Sequence, residues 1–84
     1  MAMADVLRLC IISPEKIEFD GEVQRVNLPG ASGAFTILPH HAPIVSSLVA
    51  GRIVYEPTEG GEQSVDINAG FIEMSDNTVS VCIS

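Results

Sequence analysis

The feature that most constrains this chain is a two-residue hydrophobic rhythm, cut at short intervals by turn-forming residues. Leu7, Leu9 and Ile11 share one parity in VLRLCII, and Val79, Val81 and Ile83 alternate with Ser80, Cys82 and Ser84 near the other end. SVDINA repeats the pattern, with Val65, Ile67 and Ala69 expected inward and Ser64, Asp66 and Asn68 outward. Successive side chains of a strand point to opposite faces, so this alternation marks sheets with one wet face; helical spacing is hard to find. Pro14, Asp20-Gly21, the PGASG stretch at 29–33, Gly51, Gly60-Gly61 and Asp76-Asn77 punctuate the runs. Pro14 is expected to close the first strand and Asp20-Gly21 to form a tight turn. Val23 has the opposite parity to Val26 and Leu28, which predicts a bulge that lets both halves of that strand face the core. Gly70 interrupts another run and predicts a kink or a close backbone approach. The expected fold is all-β, a flattened β-sandwich or barrel of about eight to ten short strands, as a single domain over residues 1–84.

A chain of 84 residues has a thin core, burying roughly 60 % of the surface its unfolded form exposes. An enclosed substrate pocket takes about 300–1,000 Å³, which such a domain can hardly spare. Eleven acidic against four basic residues give a net charge of −7, which disfavours direct binding to phosphate backbones or anionic lipid. It suits a partner with basic loops, or simply a solvated surface. Cys10 and Cys82 sit in the apolar runs LRLCII and VSVCIS, where a free thiol behaves as a small buried hydrophobe. The first apolar stretch is short, broken by Arg8 and without a basic lead-in, unlike a secretory signal, so both thiols are expected reduced. No run approaches the ~18 apolar residues of a membrane-spanning helix.

The sharpest chemical lead is ILPHHAPIVSSL, where His40 and His41 stand between Pro39 and Pro43. A metal-dependent enzyme or carrier built on both histidines and a carboxylate is one reading. A zinc site needs three or four ligands converging on one point, and neither thiol is near in sequence. The competing reading is a stiff turn that presents a surface, because proline restricts φ on both flanks. Ser46 and Ser47 lie close by, but proximity in sequence is not the geometry of a nucleophile beside its base. GASG at 30–33 lacks the Lys and Ser/Thr that end a phosphate-binding loop, and no helix pattern follows it. A sandwich that binds carbohydrate is a third reading, weakened by the absence of Trp and by only one Tyr and three Phe as stacking platforms. The carboxylates are spread along the chain, and no pair stands out as an acid and a base.

Three ordered motifs carry a resemblance: ISPEKIEFDGEV at 12–23, LPGASGAFTILPHHAP at 28–43 and INAGFIEMSDNTVSV at 67–81. Together they resemble the N-terminal β-sandwich domain of the epsilon subunit of F-type ATP synthases, from about Asp5 to Ser84. The resemblance implies a non-catalytic subunit at the foot of the rotor stalk, without cofactor or metal. It would be clasped to the gamma subunit and seated on the polar loops of the c-ring, helping to couple ion-driven rotation to ATP synthesis on other subunits. It would therefore lie on the cytoplasmic side of an energy-coupling membrane, held there only through a large hetero-oligomer, with no nucleic-acid partner. By position, the resemblance turns Gly30, Ala31, Ser32, Gly33 and Ala34 towards the c-ring, with Pro39, His40, His41, Ala42 and Pro43 as a second ring-facing loop. His41 matches the P-x-H-A-P histidine of that family, and His40 falls on its variable position. Ser46 falls where the family approaches gamma. Typical members of that family continue into a two-helix hairpin, which in many bacteria can extend along gamma and restrain ATP hydrolysis. This sequence stops at Ser84 without one, so hairpin-type inhibition is expected to be absent.

Overall fold

A computed structural model describes residues 6–84; the first five residues of the expected domain, including Asp5 where the resemblance begins, lie outside the described residues. Among the described residues eight strands follow one another without a helix: β1 (Leu7–Ile12), β2 (Ile17–Gly30), β3 (Gly33–Ile37), β4 (Ile44–Leu48), β5 (Gly51–Pro57), β6 (Gln63–Ile67), β7 (Gly70–Ser75) and β8 (Thr78–Ile83). The hydrogen-bonded order is β1-β8-β7-β4-β2-β5-β6, with β3 also on β2 and β1 closing back onto β2. The long β2 folds this ladder over itself, because its first half pairs with β1 and its second half runs between β3 and β5. Every strand contributes to one apolar core, from Leu7, Leu9 and Ile11 of β1 to Val79, Val81 and Ile83 of β8. Each fully buried aliphatic side chain stabilises the fold by about 1.5–3 kcal/mol. No polar or charged side chain is buried among the described residues.

The bulge lies where parity places it. Against β5 the register jumps between Val23, opposite Pro57, and Arg25, opposite Glu56. The unpaired Gln24 resets the alternation, so that Val23, Val26 and Leu28 are all fully buried. Gly70 sits where a Cβ would meet the Cys82 carbonyl oxygen at 2.7 Å, the close approach its sequence position suggests. Asp76 and Asn77, at φ 49° and 56°, make the two-residue turn that joins β7 to β8. A pair of left-handed residues matches the right-handed twist of the flanking strands.

Three expectations are corrected. Asp20-Gly21 is not a turn but lies inside β2, opposite Cys10 and Leu9. Asp20 bonds Arg8 across the strands at 2.8 Å, and the missing Cβ of Gly21 makes room for the Phe19 ring, which packs on Tyr55 at 4.6 Å. Ala69 is exposed, because β6 ends at Ile67 and the chain has already begun to bend. The cysteines are not core residues. Alternation turns them outward, leaving Cys10 half-buried and Cys82 exposed, both as free thiols.

Candidate functional site

The histidine turn is built by its proline. The His41 N–H donates to the Leu38 carbonyl at 3.2 Å, so Pro39 and His40 are the central residues of a four-residue turn. Proline fixes a negative φ at the first of them and His40 takes φ 69° at the second, the signature of a type II turn. The turn is tied to the β7–β8 hairpin: the His40 N–H donates to Asn77 Oδ1 at 2.5 Å, and Asn77 Nδ2 lies 3.3 Å from His40 Nδ1. His41 Nδ1 is instead 2.6 Å from the Ala42 carbonyl. The two rings thus serve different partners, and among the described residues no three metal-ligating side chains converge. Pro39 is half-buried, while His40, His41, Ala42 and Pro43 are exposed.

The other loop is the tip of the β2–β3 hairpin. Ala31 and Ser32 form the turn between Gly30, buried at the end of β2, and Gly33, which opens β3 at φ 127°. Ala31, Ser32, Gly33 and Ala34 are all exposed, and the Ala31 N–H donates to the Ser47 carbonyl at 2.9 Å, which fixes the hairpin against β4. The two loops are not brought together. They stand at opposite ends of β3, whose five residues span about 17 Å. Ser46 is half-buried on the inward side of β4 opposite Ile72, and its hydroxyl donates to the Ser47 carbonyl at 3.1 Å. The outward residues beside it are Val45 and Ser47.

A feature not drawn out of the sequence crosses the outer face of the neighbouring strands. The registers align Ser47, Phe71, Cys82, Ile12 and Ile17 in one row over β4, β7, β8, β1 and β2. Phe71 is 48 % exposed, Ile12 41 % and Ile17 61 %, with Val45 at 61 % one row away. A second irregularity, where Ile11 pairs with Phe19 but Ile12 with Ile17, brings the two isoleucines side by side at the end of the row. The signal was present as apolar residues at off-parity positions, but only the register shows that they meet.

Charge surrounds this band without entering the row. Arg8 pairs with Asp20, Arg25 with Glu56 and Glu62, and Arg52 with Asp66, all at 2.8–3.2 Å on exposed surface. Burial pushes the Cys10 thiol above its ordinary pKa, and the neighbouring Asp20 carboxylate adds to the shift.

Comparison with known proteins gives one consistent answer. The sequence pattern of the family described as "ATP synthase, Delta/Epsilon chain, beta-sandwich domain" matches residues 6–84. The ATP synthase epsilon chain of Leptospira borgpetersenii is 46 % identical over 79 residues, covering 93 % of this chain and 61 % of the relative. That of Sulfurovum sp. is 40 % identical, covering 94 % and 61 %, so the chain spans about three fifths of these relatives. The epsilon chain of Chlorobium limicola, 38 % identical over 78 residues, is covered to 89 % of its length. Among solved structures, a chain of the Euglena gracilis mitochondrial ATP synthase (OSCP, F1 and c-ring) superposes with a TM-score of 0.88 at 18 % identity, covering 99 % of this chain and 53 % of that one. A chain of the Tetrahymena thermophila mitochondrial ATP synthase central stalk and c-ring gives 0.76 at 17 %, covering 92 % and 62 %. At these identities the likeness establishes the fold.

Proposed function

The chain belongs to the family of ATP synthase delta/epsilon β-sandwich domains, and from that membership we propose that it is a non-catalytic rotor component of an F-type ATP synthase. One face clasps gamma in the central stalk, and another surface seats on the c-ring. Through these contacts it helps couple ion translocation to ATP synthesis on other subunits. It is held at the cytoplasmic side of the energy-coupling membrane through the complex. In this reading Gly30–Ala34 and Pro39–Pro43 face the ring, and the β4 strand around Ser46 approaches gamma.

The observation that carries the reading is the band of Phe71, Ile12, Ile17 and Val45. Isolated exposed apolar residues are ordinary on any protein, but a row spanning adjacent strands of one face is the pattern of a surface that a partner covers. Val45 and Ser47, the outward neighbours of Ser46, lie at the β4 end of that band, which supports reading this face as the one that approaches gamma.

The test is to replace Phe71 and Ile17 together (Phe71→Glu, Ile17→Glu) and measure co-purification with gamma and the thermal midpoint. Both side chains point away from the core, so the midpoint should stay near wild type while gamma affinity falls by at least about tenfold. Wild-type affinity in the double variant would overturn the assignment of this face.

A further inference from the structure

We propose that Cys10 and Cys82 together form a two-thiolate binding site for a soft monovalent metal ion, of which copper(I) is the biological example. The site stands apart from the histidine turn and does not depend on the rotor reading.

Its geometry follows from the parallel pairing of β1 with β8. Cys10 stands opposite Ser80, and Ile12 opposite Cys82, so these four residues mark the corners of one square on the outer face. Residues paired across strands point to the same side of a sheet, as do residues two apart along one strand, so the two thiols share a diagonal. With strands about 4.8 Å apart and about 3.3 Å per residue, that diagonal separates their Cα atoms by about 8 Å. They are the two cysteines of the chain, both free thiols, with Cys10 half-buried and Cys82 exposed.

Magnitudes decide which chemistry is open to such a pair. A disulfide bond of about 2.05 Å cannot close without backbone movement once the Cα atoms are more than about 7 Å apart. Two metal–thiolate bonds of about 2.3 Å, set in line, hold the sulfurs about 4.6 Å apart and so extend the reach by about 2.5 Å. A separation of about 8 Å lies beyond the first limit and within the second.

Ligand number then selects the ion. Among the described residues no third metal-ligating side chain converges on the pair. Asp20, opposite Cys10 on β2, is already held by Arg8 at 2.8 Å. Zinc asks for three or four protein ligands, whereas soft thiolates select copper(I). Electrostatics favour a cation here as well. Burial first, and then Asp20, push the Cys10 thiol above its ordinary pKa, and a charged Cys82 also opposes its ionisation. An ion between the sulfurs cancels that mutual repulsion. Binding needs no oxidant: each thiol forms one metal–sulfur bond and releases its proton to solvent. One ion therefore displaces two protons and leaves the bridged pair with a single negative charge.

The experiment supplies copper(I) to the purified chain without oxygen, in about tenfold excess of glutathione, and reads metal per chain by native mass spectrometry. Glutathione brings one thiol per molecule. A site that closes its second bond within one chain holds the ion against it, through an effective concentration of about millimolar. The wild type is expected to keep one ion per chain as a monomer, and Cys10→Ser and Cys82→Ser each to keep less than about a tenth of that. No retention by the wild type, undiminished retention by either variant, two ions per chain, or one ion shared between two chains overturns the proposal. So does retention by Cys10→Ser with Cys82→Ser combined, which would place the metal elsewhere. Both side chains point outward, so the serine variants should keep the wild-type thermal midpoint. If either does not, a proton count on the wild type decides, without glutathione and at about pH 6.5, where free thiols are protonated. Two protons released per ion support the pair, and one proton per ion overturns it.

Discussion

His40 holds a backbone conformation that its side chain opposes. At φ 69° the Cβ crowds the following carbonyl, a cost of about 1–2 kcal/mol that glycine escapes. His40→Ala and His40→Gly both remove the imidazole and its contact with Asn77, so the difference between them isolates the backbone. The glycine variant should be the more stable by about 1 kcal/mol in chemical denaturation, and an equal or less stable glycine variant would show that the turn relaxes. Tyr55 makes a different demand on its surroundings. Its ring is 5 % exposed, its hydroxyl donates to Gln63 Oε1 at 3.3 Å, and burial followed by the Glu18 charge pushes its pKa above 10.0. The folded state therefore holds this proton more tightly than the unfolded chain. The stabilisation is complete below about pH 10 and is lost as pH rises through the raised pKa. Unfolding free energy should fall as pH rises above about 10, and Tyr55→Phe should flatten that decline. An unchanged slope in the variant would assign the alkaline loss to other groups, with Cys10, raised from 9.0, the first to examine by Cys10→Ser.

Hairpins set the element scale, and their glycines do different work. A Cβ on Gly30 would sit 2.7 Å from the Gly33 carbonyl oxygen and 2.7 Å from the Phe35 ring, whereas one on Gly61 would meet nothing within 4 Å. Gly30→Ala should destabilise by about 1–3 kcal/mol, because neither the backbone oxygen nor the packed ring can retreat freely, while Gly61→Ala should stay within about 0.5 kcal/mol of wild type. Comparable midpoints for the two would show that the β2–β3 hairpin opens without penalty. The sequence was informative wherever one strand decides its own side: the parities of β1 and β8, the resetting at Gln24 and the tight approach at Gly70 all follow from local pattern. It misled where a residue's partner lies elsewhere. Asp20-Gly21 has the chemistry of a turn, yet β1 offers a ladder along the whole first half of β2 and a guanidinium at Arg8, and pairing outweighs local preference. The candidate surfaces were legible only in part for the same reason. Both loops could be marked from their motifs, but their placement at the two ends of β3, and the meeting of Phe71 with Ile12 and Ile17, are properties of register.

At the scale of the whole molecule, the arginines are spent on carboxylates and one row of the outer face is left without charge. The sequence carries a net charge of −7, and each of its three arginines is already engaged by at least one carboxylate. Exposed ion pairs of this kind stabilise the fold by only about 0–1 kcal/mol each, but they leave little unpaired positive charge with which to attract a partner. The row of Phe71, Cys82, Ile12 and Ile17 contains no charged side chain, so the partner proposed for it would be held mainly by removing apolar surface from water. Burial of that kind has a thermodynamic signature, a negative heat-capacity change on association, because exposed apolar groups raise the heat capacity of the free components. Association with gamma, followed by titration calorimetry over a series of temperatures, should become steadily more exothermic on warming. Its affinity should change by less than about tenfold between roughly 50 and 500 mM salt, since screening acts on charges that the row itself lacks. A heat of binding independent of temperature, with affinity falling steeply as salt is added, would mean that the acidic surface rather than the apolar row makes the contact.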